Sequence, residues 1–327
     1  DIVLDYVDKG VAIVELAKKL GLDMNQVMAF GDNLNDLHMM QVVGHPIAPE
    51  NARPEILELA TEVIGSHRDQ SVIAYMESMT AIKLIALDLD GTLLTSDKKI
   101  SPRNLKALAT ARAKGVKVVL TTGRPLKAME FLLDELGTAG LEDEYTITFN
   151  GGLVQRNTGE IIDKTVFSHA DVVRIFEETQ KLALPLDAIN EGVVYQLQSE
   201  QKSLYAQANP YLQFEHVSLN DLSEGLTYNK CVSAFDPSNI DRALPQISRE
   251  LFERYEIFKS RDMLLEWSPK NVHKATGLAK LSQHLGLDSS QIMACGDEAN
   301  DRSMIEWAGL GVAMGNATEE IKAVAKV

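Results

Sequence analysis

Cysteine is nearly absent: only Cys231 and Cys295 occur in 327 residues, far apart in sequence. Two isolated thiols make neither a disulfide framework nor a Cys-x-x-Cys zinc or redox site. The seven histidines are scattered, with no spacing that reads as a metal cluster. Basic residues run short as well, 32 against 47 acidic ones, for a net charge of −15. Nucleic acid and anionic membrane are therefore poor partners. Long apolar runs are missing, and none approaches the roughly 20 residues that a membrane helix needs. The opening DIVLDYVDKG has no basic stretch followed by an apolar one, so a secretion signal is not expected. A reducing cytoplasmic setting follows as the default. What is present is ordinary for a globular chain, with 45% hydrophobic and 24% charged residues.

The deficit of base is uneven. Residues 1–79 hold five Lys/Arg against thirteen Asp/Glu, more than half of the whole excess in a quarter of the chain. A repeat explains why this part stands apart. Residues 9–62 align with 274–327 at one constant offset and without a gap. Lys9 matches Lys274, Leu20-Gly21-Leu22-Asp23 matches Leu285-Gly286-Leu287-Asp288, and Gly31-Asp32 matches Gly296-Asp297. Asn35-Asp36 matches Asn300-Asp301, Gly44 matches Gly309, and Asn51-Ala52 matches Asn316-Ala317. The interval is far too long for a solenoid. These are two copies of one βαβ-type segment at opposite ends of the chain.

Between them the texture alternates. IKLIALDLD (82–90) is an apolar run ending in carboxylates, as suits a buried parallel strand. Ser101-Pro102 opens a helix that Gly115 closes. VKVVLTTG (116–123), a helix over KAMEFLLDELG, and YTITFNGG (145–152) continue the rhythm. β-α-β-α-β of this kind predicts a doubly wound, Rossmann-like parallel sheet, with ligands beyond the strand carboxyl ends. Asp88, Thr122 and Asn150 all fall there. From 157 to 265 the pattern shifts to an α+β module, with strands expected in GVVYQLQ, LTYNKCVSAF and FKSRDMLLEWS. The α/β rhythm returns after 266. The expected domains are thus a partial duplicate (1–79), the first part of a core (80–156), an inserted α+β cap (157–265) and the second part of the core (266–327). Val327 is expected to lie inside the helix after the last core strand, whereas 61–79 supplies the first copy with a further strand and helix.

Two carboxylates two apart at the end of a buried strand point the same way if the segment stays extended. One can act as nucleophile and the other as general acid/base. Asp297 would add a third carboxylate, and an oxygen-only set favours Mg²⁺. The alternative is a solvated loop, which the accompanying Gly-Thr, TTGR and GDxxND motifs make a poor fit. Cys295 and the methionines at 293, 304 and 314 read as core. Trp267 could touch substrate near the module's edge.

Taken together, DLDGTLLT (88–95), TTGRP (121–125), Lys274 and GDEANDRSMIE (296–306) resemble the haloacid dehalogenase superfamily, and within it the Cof-type sugar phosphatases. The resemblance covers 80–327. It implies Mg²⁺ dependence and an aspartyl-phosphate intermediate. Asp88 would be the nucleophile and Asp90 the acid/base, lending Mg²⁺ its backbone oxygen. Thr122 would bind the phosphoryl group, Lys274 would offset its charge, Asp297 would ligate Mg²⁺, and Asp301 would support the metal site. Gly123, Arg124, Asn150 and Asn300 would line the substrate side. Residues 1–79 lack both DxD and TTGR, so no independent catalysis is expected of them. They are expected to dock on a partner sheet, with self-association one outcome, or to be poorly ordered. The expected activity is a phosphatase of small phosphorylated metabolites, with sugar phosphates the expected class; a phosphomutase and a catalytically impaired binding or regulatory protein are the alternatives.

Overall fold

A computed structural model describes residues 8–210 and 212–327, and the chain divides into two compact units, 1–81 and 82–327. Residues 1–7, where a secretion signal would begin, lie outside the described residues.

The first unit runs α1 (Lys9–Leu20), β1 (Met28–Phe30), α2 (Leu37–Val42), β2 (His45–Pro49), α3 (Pro54–Leu57), β3 (Glu62–Ile64) and α4 (Ser71–Thr80). Its strands form a parallel sheet in the order β1-β2-β3. Asp8 caps α1 by accepting from the Val11 N–H, and Gly21 closes it in the left-handed region. Met40, Ala48, Ala52 and Ile56 make a small core of its own. The unit is an ordered α/β fragment, not the loose strand that the sequence left open.

In the second unit the chain enters β4 (Leu84–Leu87), α5 (Pro102–Ala113), β5 (Lys117–Thr121), α6 (Glu130–Leu136), β6 (Tyr145–Thr148), β7 (Leu153–Arg156) and β8 (Ile161–Lys164). It then builds α7 (His169–Lys181), β9 (Asp187–Asn190), β10 (Val193–Leu197), α8 (Tyr205–Ala208), β11 (Gln213–Val217), β12 (Lys230–Ala234), α9 (Pro237–Ala243), α10 (Arg249–Arg254), β13 (Tyr255–Arg261) and β14 (Leu264–Pro269). It ends with α11 (Lys274–Leu285), β15 (Ile292–Gly296), α12 (Arg302–Trp307), β16 (Leu310–Ala313) and α13 (Glu319–Val324).

Seven strands order as β16-β15-β4-β5-β6-β7-β8. The first five are parallel, while β7 and β8 turn back antiparallel at one edge. The doubly wound parallel core is the expected one, and it carries an antiparallel pair of strands at that edge. Its strands are apolar because both faces are covered. Leu278, Leu281, Met304, Ile305 and Ile321 from α11–α13 pack on one face, and Leu108, Leu132 and Leu133 from α5 and α6 on the other. Each such side chain contributes roughly 1.5–3 kcal/mol on burial. The chain winds outward from β4 in one direction through β5 and β6, and in the other through β15 and β16. The winding reverses between β4 and β15, and a crevice opens at their carboxyl ends.

The remaining six strands order as β11-β10-β9-β12-β14-β13. One face carries α7, α9 and α10 on Val172, Ile175, Ile240, Leu251 and Trp267. The other face sets Ile189, Val194, Val232 and Leu264 against Phe149 and Leu153 of the seven-stranded layer. Sheet membership puts 161–164 in the larger sheet and 266–269 in the smaller, against the expected limits of 157 and 265. FKSRDMLLEWS, read as one strand, is the hairpin β13–β14. Trp267 is fully buried under the helices and cannot reach a substrate.

The repeat is structural. α1 and α11 begin and end at matching positions, as do α2 and α12. The helix after the last strand stops at Val324, so Val327 is not helical: Lys326 N–H donates to Gly311 O at 2.8 Å, as Thr61 N–H does to Pro46 O.

Candidate active site

Asp88 directly follows β4, with its N–H on Cys295 O of β15. Its carboxylate accepts from Lys274 Nζ through Oδ1. Lys274 is the first residue of α11, is wholly buried, and also donates to Asp301 Oδ1 at 2.5 Å. Asp301 Oδ2 accepts from the N–H groups of Asp297 and Glu298 at 3.0 and 3.1 Å, which folds the loop after β15. Asp88, Asp297 and Asp301 each bring one carboxylate oxygen within 4.8 Å of the others. Burial pushes the Asp88 carboxyl up to about 6 despite the opposing Lys274 charge. Burial also raises Asp297, against a hydrogen bond from Thr92. Lys274 is raised because its two carboxylates outweigh the cost of burying it.

Two glycines make the closeness possible. A Cβ on Gly91, whose φ is +86°, would lie 2.1 Å from Asp297 Oδ2. One on Gly296 would lie 2.4 Å from the Asp301 Cβ.

Asp90 has partners of its own. Its carboxylate accepts from Arg124 Nη2 at 2.5 Å and Lys98 Nζ at 2.7 Å. The segment leaves β4 at Leu87 and turns, with Leu93 N–H on Asp88 O, so the two-residue alternation of a strand no longer applies. These partners hold Asp90 below the usual carboxylate range, although burial works against them. Thr122, at the end of β5, is buried, and its Oγ1 accepts from Arg124 N–H at 3.2 Å. Asn150 sits in the left-handed region after β6, sends its N–H to Thr122 O, and accepts weakly from Asn300 Nδ2 at 3.4 Å. Gly123 packs where a Cβ would stand 3.0 Å from Asn150 Oδ1. The ten residues singled out in the sequence thus gather at the carboxyl ends of β4, β5, β6 and β15.

Sequence reasoning missed three neighbours. Thr92 Oγ1 donates to Asp297 Oδ1 at 2.7 Å, Asn316 Nδ2 to Asp297 Oδ2 at 3.2 Å, and Lys98 pairs with Asp90. Thr92 lies inside the DLDGTLLT motif, and Asn316 was marked by the repeat; Lys98 had no signal.

The first unit reproduces half of this. Lys9 Nζ donates to Asp36 Oδ1 at 2.5 Å, and Asp36 Oδ2 accepts from the N–H groups of Asp32 and Asn33. Lys9 is half exposed where Lys274 is wholly buried. Among the described residues the only carboxylate trio is that of Asp88, Asp297 and Asp301.

Comparison with known proteins gives the same frame. A phosphatase-named protein of Streptococcus pyogenes is 36% identical over 255 residues, covering 75% of this chain and 92% of its own. The 5-amino-6-(5-phospho-D-ribitylamino)uracil phosphatase of Bacillus subtilis is 29% identical over 248 residues, covering 75% and 88%. The solved structure of the subclass IIB sugar phosphatase BT4131 superposes with a TM-score of 0.60 at 26% identity, covering 75% and 92%. The profile of the haloacid dehalogenase-like hydrolases matches residues 1–76 and, separately, 85–327. Both ends of the repeat carry that signature, and the chain belongs to the haloacid dehalogenase-like hydrolase family.

Proposed function

We propose that the protein is a Mg²⁺-dependent phosphatase of small phosphorylated metabolites, sugar phosphates foremost, working through an aspartyl-phosphate at Asp88. The observation that carries this reading is the placement of Asp88 in a buried crevice between Lys274 and two further carboxylates. Its relatives include proteins named for two different phosphorylated substrates.

The residues fit a divalent cation. Asp88, Asp297 and Asp301 against Lys274 leave two negative charges in a buried place, a costly arrangement when uncompensated. Oxygen-only donors suit Mg²⁺. Asp88 and Asp297 would hold it with the backbone oxygen of Asp90, and Asp301, engaged by Lys274 and two N–H groups, would support from behind. Bound there, the ion offsets phosphate charge and keeps Asp88 ionised.

The chain's own groups then account for the transfer. An Asp88 oxygen attacks phosphorus as the bond to the leaving oxygen breaks; Asp90, protonated from solvent once the ester's oxygens have drawn off its cations, delivers that proton to the leaving oxygen. Water next attacks phosphorus, returns a proton to Asp90, and frees inorganic phosphate and the Asp88 carboxylate. Lys274, the Thr122 hydroxyl and the Arg124 side chain offset charge on the phosphoryl oxygens. The six-stranded module packs against Phe149 and Leu153, which supports a role for it as the cover of the crevice. Two buried free thiols suit a reducing compartment, and we place the protein in the cytoplasm. Among the described residues no helix is long and apolar enough to cross a membrane.

The test is release of phosphate from an aryl phosphate. Turnover should need Mg²⁺, vanish with a chelator, return on readdition, and fall by orders of magnitude in Asp88→Asn. Metal-independent turnover, or an Asp88→Asn enzyme as fast as the parent, would refute the reading.

A further inference from the structure

The hairpin at the edge of the six-stranded sheet carries an irregularity with a direction. β13 and β14 pair steadily from Tyr255↔Pro269 to Lys259↔Leu265, and then Arg261, not Ser260, stands opposite Leu264. Ser260 is the extra residue of a bulge, and bulges re-aim the side chain beside them. This one is anchored. Ser260 Oγ donates to Glu266 Oε1 at 2.6 Å, and Glu266 Oε2 accepts from Lys230 Nζ at 2.7 Å. Lys230 and Glu266 are both buried on the face opposite α7, α9 and α10. The anchored bulge directs Arg261 to within 4.0 Å of the Asp90 carboxylate, on the loop after β4.

Asp90 already has Arg124 and Lys98 at hydrogen-bond distance. Arg261 brings the count to three cations against one carboxylate, two positive charges beyond neutrality. At 4.0 Å its approach is an ion pair without a hydrogen bond, so Asp90 does not use its donor fork. A guanidinium held over a crevice in that state matches the oxygens of a phosphate dianion.

We propose that Arg261 is a substrate ligand supplied by the six-stranded module: it exchanges Asp90 for phosphoryl oxygens of the bound ester. Ser260, Glu266 and Lys230 are positioning residues that set its direction. The inference rests on the phosphate-ester reading of the site.

The full-length protein tests it through aryl-phosphate turnover and through calorimetric titration with inorganic phosphate, which needs no turnover. In Arg261→Ala, KM and the phosphate dissociation constant should both rise roughly 10- to 100-fold, the range for a charge-assisted hydrogen bond, with a smaller change in kcat. Arg261→Lys should recover part of the loss, since it keeps the charge without the fork. Ser260→Ala should raise KM to a lesser degree, with a modest fall in Tm from the lost bond to Glu266, and should add nothing to the KM of Arg261→Ala in the double variant. Unchanged KM and phosphate affinity in Arg261→Ala would overturn the proposal. So would a rise in kcat with a lower KM, which would make Arg261 a latch. If the parent protein binds phosphate but turns over no ester, the phosphatase reading fails, while weaker phosphate binding in Arg261→Ala would still uphold the ligand role.

Discussion

Gly91 shows how tightly one residue can be specified. Its φ of +86° already strains any side chain, and the Cβ of an alanine would collide with an Asp297 carboxylate oxygen. Gly91→Ala should therefore displace Asp297 and cut kcat about 100-fold, the scale of a misplacement near 1 Å. Steady-state kinetics with a Tm measurement would check it, and near-parental activity would count against the site as drawn. Asp187 makes the complementary point about charge. It is fully buried on β9 and accepts from Ser203 through Oδ2. Burial pushes its carboxyl up to about 7, with hydrogen bonds from Ser203 and Gln196 opposing. Below about pH 4 both the folded and the unfolded chain hold this proton. Between there and about 7 only the folded chain holds it, so stability falls as pH rises through that window and levels off above it. Asp187→Asn should match the parent near pH 4 and exceed it by a few kcal/mol at pH 8 in denaturant unfolding. Equal pH profiles would show that Asp187 titrates normally.

At the scale of elements, the strands that end in chemistry were the readable ones. β4, β5, β6 and β15 are short apolar runs stopped by Asp88, Thr122, Asn150 and Asp297, and buried parallel strands look like that wherever they occur. The repeat likewise announced α1 and α11. The six-stranded module was harder. β13 and β14 meet at Asp262-Met263, a turn with no glycine, proline or asparagine to mark it. Trp267 faces the helices and Glu266 the other side, an alternation that only pairing with β12 fixes. The partners of Asp90 were hidden for a related reason, because the loop's turn, not its composition, brings Lys98 and Arg124 to it. Register is a property of partners, and a single sequence does not name them. The Lys230–Glu266 pair across β12 and β14 carries an element-scale prediction. Lys230→Met should cost about 3–5 kcal/mol by stranding Glu266. Lys230→Met with Glu266→Leu should recover much of that stability while leaving KM raised, measured by denaturant unfolding and kinetics.

For the molecule as a whole, the hydrophobic clusters of 82–327 are built from that unit's own residues, and the complete set of candidate catalytic groups falls inside it. A chain of residues 80–327 should fold and keep the parent's kcat/KM within about twofold, well under the tenfold that 1.4 kcal/mol would produce. Residues 1–79 should release no phosphate from an aryl ester. A large loss of activity on removing 1–79 would assign that unit a part in the reaction.

Asp36 gives the molecule its own control experiment. The loop after β1 is tied by Asp36 to two N–H groups and to Lys9, though among the described residues no carboxylate trio forms around it. The tie therefore forms without the other two carboxylates of the candidate site. An inactive Asp301 variant would then report a collapsed loop as readily as a lost charge, and Asp36→Asn tells the two apart. Whatever folding penalty it incurs, with no turnover at stake, is the amount to subtract before any of the loss at Asp301 is credited to chemistry.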